Sequence, residues 1–472
     1  MTVILGGVRS APAAEGTEIA TAFDEGNPFD IFFRVDYAFD VRRAAIKREL
    51  SGSTVPGQVP DTVPVVRDLV MNQTRHVLTP SVQVGLWHDV QLSIALPITI
   101  SLDRSYDFDQ RADPCIFPGG SGPATCVNRQ NSSTLLDNIL PNGSTGRIGY
   151  DAQDATTNFG LDSTMVFRSV GRSGLDTLNI GLTWAPMNQE RDDTKPTWVV
   201  GAELRWSIGK IMKFNRLNPG NETGVSPGFH EIKLMTGFSK RTRWAEPFVF
   251  FYYQAPVGVR GDKPNDPDGS LFWDVGFGQK SNHPQSQAGT DFGFEAILFD
   301  RPAQKERLAL TFGGSLHAMF EGKGYSEMWE PFALGGDVTS NPGAVLAVDP
   351  DPTSTTDANI PHPGVTTIEN YMIFGGQLGI RGQIGEHVKF MASFGVTREQ
   401  SHAITFTSAG IDLPGCSATV TMNCESPDDN VVTPGTREVN PLHKPIIDTV
   451  GRRYLVDETT VLTFMVGGQV LF

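Results

Sequence analysis

The sequence predicts an all-β chain that closes as a single transmembrane, antiparallel, up-and-down β-barrel of about twelve strands. Three observations predict it: strict period-2 alternation in many segments, connections that alternate between short and long, and a final alternating strand that ends in Phe472. The first such segment is PFDIFFRVDYAFDV, beginning at Pro28. Phe29, Ile31, Phe33, Val35, Tyr37, Phe39 and Val41 fall on one face, while Arg34, Asp36, Asp40 and Arg42 fall on the other. Side chains alternate across a strand, so one face is oily and the other charged. A strand between lipid and a polar lumen satisfies both faces at once.

The same pattern recurs along the chain. In SVQVGLWHDVQLSIALPITIS, Val82, Val84 and Leu86 alternate with polar or small residues up to a turn at Trp87–Asp89. Val90, Leu92, Ile94, Leu96, Ile98 and Ile100 then resume the alternation, so the segment reads as a hairpin. Pro97 blemishes its second strand, because proline gives up a ladder hydrogen bond. LDTLNIGLTWAP and PTWVVGAELRWSIG form the next pair. Trp198 and Trp206 lie on one face of it, roughly 26 Å apart at about 3.3 Å per residue, a separation that suits two interfacial aromatic girdles. Further pairs are FHEIKLMTGFS with EPFVFFYYQ, TDFGFEAILF with RLALTFGGSLHAMF, and YMIFGGQLGIRGQI with HVKFMASFGVT. TTVLTFMVGGQVLF closes the chain.

Short links fall at 87–89, 187–195, 240–245, 300–306 and 385–386. Long ones, rich in Gly, Pro, Asn and Asp, fall at about 43–75, 102–174, 209–228, 255–289, 322–369 and 398–458. Long structureless loops argue against a compact soluble domain, whereas short periplasmic turns opposite long extracellular loops are the habit of outer-membrane barrels. The segments LDSTMVFRSVG (161–171) and PIIDTVGRRYLV (445–456) would raise the count to 14 if both were strands. The first reads instead as part of a loop, the second as a loop or an extension of the last strand. The division is therefore residues 1–27 as an N-terminal periplasmic tail or signal-peptide remnant, and 28–472 as one barrel. The APAAEG near the start looks like a small-residue cleavage site, but no basic residue precedes its short apolar run; a plain N-terminal tail is the other reading.

Composition agrees. Hydrophobic residues make up 39 % of the chain, low for a soluble core of this length but sufficient when half of each strand faces a polar lumen. No apolar run of 18 residues marks a membrane-spanning helix. A net charge of −15 with no basic block disfavours nucleic acid. Cys115 with Cys126, and Cys416 with Cys424, are two close sets in loop-like stretches without metal-finger spacing; local disulfides and an oxidising compartment follow.

VGLWHDVQLSIALPI and GLDTLNIGLTWAP…PTWVVGAELRWSIGK resemble the outer-membrane family associated with meta-pathway phenol degradation, whose members resemble small-solute channels. The resemblance spans about a third of the chain and implies outer-membrane location and solute uptake. It carries over no binding residue. The Phe472-terminated strand resembles the insertion signal read by the barrel-assembly machinery.

The inward set of the alternation is Arg34, Asp36, Asp40, Arg42, Glu203, Arg205, Glu231 and Lys233, then Asp291, Glu295, Arg307, His317, Gln377, Arg381 and Lys389. A basic residue at mid-membrane on the lipid face would cost about 2–4 kcal/mol, so these charges belong inside. They either line a conduit that selects solutes or fill the lumen with neutralising ion pairs. EGKGYSEMWEPF places Tyr325, Trp329 and Phe332 in a long loop, where they form a constriction or simply pack loop on loop. FVFFYYQ (248–254) is aromatic on both faces; either Phe251 and Tyr253 or Phe250 and Tyr252 line the lumen for aromatic solutes. DKPNDPDGS offers acids to calcium without the full EF-hand spacing and reads as a solvated loop, so no metal or cofactor is expected. No phosphate loop, H-E-x-x-H, C-x-x-C or G-x-S-x-G element is present, and the nearby Ser315 and His317 read as lumen hydrogen-bonding groups rather than a lipase pair. The expected function is passage of small, aromatic or hydrophobic solutes. The rival is a non-transporting barrel that binds at the cell surface or serves an envelope complex.

Overall fold

The computed structural model describes residues 16–24, 27–50, 65–110, 127–143, 146–154, 158–260, 283–301, 304–350, 358–417, 419, 424–426, 429–433 and 436–472. Twelve antiparallel staves close into one barrel. In chain order they are β1 (Ile31–Glu49), β2 (Val65–Trp87), β3 (Val90–Ala95 continuing as Ile98–Phe108) and β4 (Thr177–Met187). Next come β5 (Thr197–Ser207), β6 (Phe229–Ser239), β7 (Ala245–Val259) and β8 (Gln287–Arg301). The last four are β9 (Glu306–Met319), β10 (Tyr371–Ile384), β11 (Val388–Glu399) and β12 (Tyr454–Leu471). The seam is β12 on β1, where Phe464 faces Phe39 and Val470 faces Phe33. Phe472 completes it, exchanging backbone hydrogen bonds of 3.0 and 3.1 Å with Ile31.

Alternation decides which side of each stave meets lipid. Phe33, Leu182, Trp206, Phe251, Phe292 and Leu378 all stand exposed on the outside. Their inward neighbours on the same strands are mostly charged, polar or glycine, with Phe32, Phe250 and Tyr252 the aromatic exceptions, and many are buried. An oily outer belt around a polar interior is the arrangement of an outer-membrane barrel, which removes every sheet edge by closure. No helix of the described residues is long and apolar enough to cross a membrane.

Pro97 acts as expected of a proline in a ladder. Stave β3 breaks at Leu96–Pro97, and its two halves pair separately, Val90–Ala95 with β4 and the start of Ile98–Phe108 with Arg172–Leu175. The segment 161–171, read from sequence as loop, supplies Met165–Arg168, which pairs on β3 above the break and extends the wall without adding a stave. PIIDTVGRRYLV divides into a short helix, Pro445–Asp448, and the start of β12.

The first long link is shorter than the sequence suggests. Strands β1 and β2 pair out to Glu49 and Val65, so 43–49 and 65–75 are strand rather than loop. Likewise β3 runs to Phe108, β7 to Val259 and β12 starts at Tyr454. The charges of RRAAIKRE look like loop to a reader who expects strands to stop at the lipid boundary. These strands instead continue past it and bury Ala44, Ala45 and Ile46 in a core made with the loops. That core also contains Leu69, Tyr106, Phe108, Leu135, Phe332, Phe406 and Tyr454. The two cysteines Cys416 and Cys424 are joined in a disulfide. Cys115, Cys126 and the acidic stretch 262–270 lie outside the described residues.

Candidate functional site

Both ends of the lumen receive chain from outside the staves. At the extracellular end, the loop between β9 and β10 turns inward and carries a helix, Trp329–Gly335, every residue of which is buried. Tyr325, Trp329 and Phe332 are at most 1 % exposed. Tyr325 packs edge-on against Trp329 and donates its hydroxyl to the Met212 carbonyl at 3.1 Å. Phe332 packs against Phe406 and Tyr454.

Two carboxylates fasten this loop to the wall. Glu327 pairs with Arg42 of β1, which also grips Glu399 of β11 bidentately at 2.7 and 2.9 Å. Burial alone would raise the Glu327 acid, but Arg42 beside it holds it at about 2. Glu330 pairs with Arg172 at 2.7 Å and stands 4.0 Å from Arg104. The Arg172 guanidinium also lies over the Trp329 ring. All of these charges are 6 % exposed or less, so each depends on its partner.

Farther down, the inward residues pair across the wall. Asp40 accepts from Arg75 at 3.1 Å and from the Thr463 hydroxyl at 2.8 Å. Arg205 meets Glu203 at 3.1 Å and Glu231 at 3.7 Å. His317 bonds Asp291 at 3.0 Å, and Gln377 faces Gly313 and Gly395 across its neighbouring strands. No hydrogen bond joins Ser315 to His317 among the described residues; the two are a strand repeat apart, and His317 Nε2 is committed to Asp291.

Amid these charges runs an apolar track. On β7 the inward residues are Phe248, Phe250 and Tyr252, while Phe251 and Tyr253 stand exposed toward lipid. The two registers left open by the sequence are thereby resolved. Each ring lies over a glycine of the adjoining strand. A Cβ at Gly237 would sit 2.2 Å from Phe250, one at Gly289 2.6 Å from Tyr252, and one at Gly293 2.7 Å from Phe248. The Lys233 ammonium sits 4.4 Å above the Tyr252 ring. Met235 on β6 and Met391 and Met465 across the lumen extend the apolar surface.

At the periplasmic end, residues 16–24 enter the mouth. Glu18 pairs with Arg381, at 2.7 Å, and with Lys389. Ile19 is buried against Ala185, Val199 and Phe250. The Ala20 amide donates to Gln91 at 2.8 Å, and Thr17 and Ser239 share a hydroxyl bond of 2.8 Å. Below Glu18 lies a cavity of about 420 Å³, bordered by Glu246, Arg307, Arg381 and Lys389. Arg307 bridges Glu246 and Glu295 at 3.0 and 3.1 Å, and Arg381 approaches Glu295 at 3.4 Å. Arg34 and Asp36 pair at 2.7 Å nearby.

The sequence reading missed Glu18, Glu327, Glu330, Arg104, Arg172 and Glu399. All lie in stretches assigned to tail or loop; the structure instead makes Glu399 the last residue of β11.

No family model matches the chain, and no curated protein does. Solved structures align along nearly its whole length. They include an outer-membrane channel from Pseudomonas putida F1 at 8 % identity, covering 93 % of this chain and 95 % of that one, with a TM-score of 0.39. A FadL homologue from Pseudomonas aeruginosa aligns at 8 % identity over 94 % and 90 % of the two chains, TM-score 0.30. The outer-membrane protease OmpT of Escherichia coli aligns at 6 % identity over 93 % and 97 %, TM-score 0.27.

Proposed function

We propose that this protein is an outer-membrane channel for small solutes with aromatic or hydrophobic bodies, in which the inward charges tune entry and the Tyr325–Phe332 loop forms the constriction. The carrying observation is the track of Phe248, Phe250 and Tyr252, packed closely against glycines on the lumen side of β7. A barrel whose interior served only as filling would gain as much from further ion pairs. Aromatic faces turned inward beside a lysine offer a solute dispersion and cation–π contact along its path. The Phe472-terminated strand is read as the signal for the barrel-assembly machinery, and Phe472→Ala is expected to lower the yield of heat-modifiable barrel in membranes.

The test is passage itself. Purified protein in planar bilayers is expected to show current steps, and proteoliposomes to take up benzyl alcohol faster than glucose. Tyr252→Ser is expected to erase that preference while the barrel stays folded. A folded barrel silent in both assays would favour the second reading, a surface-binding or structural barrel. The observation favouring that reading is the depth of burial of the 329–335 helix at the extracellular end.

A further inference from the structure

The segment in the periplasmic mouth has a shape that invites a chemical comparison. Glu18 and Ile19 present a carboxylate and a branched apolar side chain side by side. The wall receives them as a pair: Arg381 and Lys389 take the carboxylate, while Ala185, Val199 and Phe250 take the apolar group. Lys389 in turn lies against the Phe32 ring, 6.0 Å from its centroid. The receiving surface is therefore amphiphilic, and it is assembled from staves on opposite sides of the mouth.

Charge bookkeeping at this level points the same way. Arg307, Arg381 and Lys389 face Glu246, Glu295 and Glu18. Glu246 and Glu295 come from the rigid staves β7 and β8, whereas Glu18 comes from a segment outside the barrel. Remove Glu18 and Arg381 and Lys389 lose the carboxylate they share, next to a cavity of about 420 Å³. A buried cationic group without its counter-ion is costly, so an incoming anion is favoured over an empty site. Arg381 presents a planar guanidinium suited to a carboxylate, and Lys389 a compact ammonium beside it.

We infer that the Arg381–Lys389 socket, with the Phe250–Val199–Ala185 surface beside it, is a binding site for small organic carboxylates with an apolar or aromatic body, and that the Glu18–Ile19 pair occupies it in competition with them. The inference rests on the channel reading and narrows its solute class from apolar compounds in general to apolar acids. Acid and peg share one site, so the peg lowers the apparent affinity by the fraction of time the socket is taken.

Benzoate serves as the probe, with benzyl alcohol as its neutral counterpart, and calorimetry on the full-length protein in detergent reads the binding. In Glu18→Gln the socket keeps both cations but loses its internal competitor, and benzoate is expected to bind about tenfold tighter than to the unaltered protein. Benzyl alcohol is expected to change little. Adding Arg381→Gln and Lys389→Gln to that variant is expected to abolish benzoate binding. Benzoate affinity indifferent to Glu18→Gln, or retained in the triple variant, overturns the inference. Heat-modifiable migration checks that each barrel is folded. Should the triple variant fail to fold, the Glu18→Gln result with its neutral counterpart decides alone. Bilayer current tests the channel reading separately: benzoate binding without conductance sinks the channel and leaves the site standing, while conductance without the Glu18→Gln effect does the reverse.

Discussion

The two ends of the lumen are closed by different means. At the extracellular end an inward loop is held by buried arginine–glutamate pairs and by a hydrophobic core that includes Phe332, Phe406 and Tyr454. At the periplasmic end a short segment is held by Glu18, 23 % exposed, on two cations, by the buried Ile19 and by the bonds of Thr17 and Ala20, with a cavity beside Glu18. The first closure is part of the folded core with its charges buried; in the second, water reaches the carboxylate that joins segment to wall. Burial of the partners, rather than the number of ion pairs, separates a fixed element from one that a solute can compete with.

The sharpest way to break this contrast is at Arg42. Arg42→Ala leaves Glu327 and Glu399 buried without their cation and is expected to cost about 3–5 kcal/mol, read as a lower urea midpoint by tryptophan fluorescence. Phe332→Ala is expected to cost a comparable 3–5 kcal/mol or so by opening a cavity in the same core. A loss below about 1 kcal/mol in both would show that the extracellular closure is as loose as the periplasmic one.

Acidity sharpens the comparison, because Asp448 at one end and Glu18 at the other are displaced in opposite directions. Burial pushes the Asp448 acid, in an extracellular loop, up to about 7 against its ordinary 3.8. An acid raised in the folded state contributes most at low pH and loses that contribution as pH climbs from about 4 to 7. The urea midpoint is therefore expected to fall as pH rises from 5 to 8, and Asp448→Asn to remove that part of the fall. For Glu18, burial opposes ionisation but Lys389 and Arg381 prevail, holding its acid below the ordinary 4.5. Its contribution is present above pH 4.5 and is lost as pH falls through the lowered value. Acid thus tightens the loop around Asp448 and loosens the Glu18 contact.

Smaller effects follow. Glu18→Gln is expected to lower the urea midpoint less than Arg42→Ala while altering proteolytic access to residues 16–24. Arg301→Ala, which removes an exposed pair with Glu306, is expected to leave the urea midpoint unmoved.

The staves were legible because alternation is a local signal, repeated often enough that the inward register could be read residue by residue except on β7, where aromatics on both faces left two registers open. Arg205 and Glu231 could be assigned to the interior, though not to each other, since pairing depends on which strand follows which. The closures were not legible. Glu18, Glu327 and Glu330 look like solvated loop acids until the staves bring Arg381, Arg42 and Arg172 beneath them. Their partners lie between 158 and 363 residues away in the chain, beyond any periodic pattern. Tyr325, Trp329 and Phe332 did single out the inward loop, since three large aromatics in an acidic loop must find cover somewhere.

The ring-over-glycine contacts have a consequence for assembly. Phe248 and Tyr252 sit directly opposite Gly293 and Gly289. A slip of two residues between β7 and β8 keeps every side chain on its proper side of the wall, so hydrophobicity alone does not penalise it. It would, however, bring the rings opposite Asp291 and either Glu295 or Gln287, with no hollow to receive them. The glycines therefore work as detents on a sliding rail, stopping the hairpin at one position while it zips into the membrane.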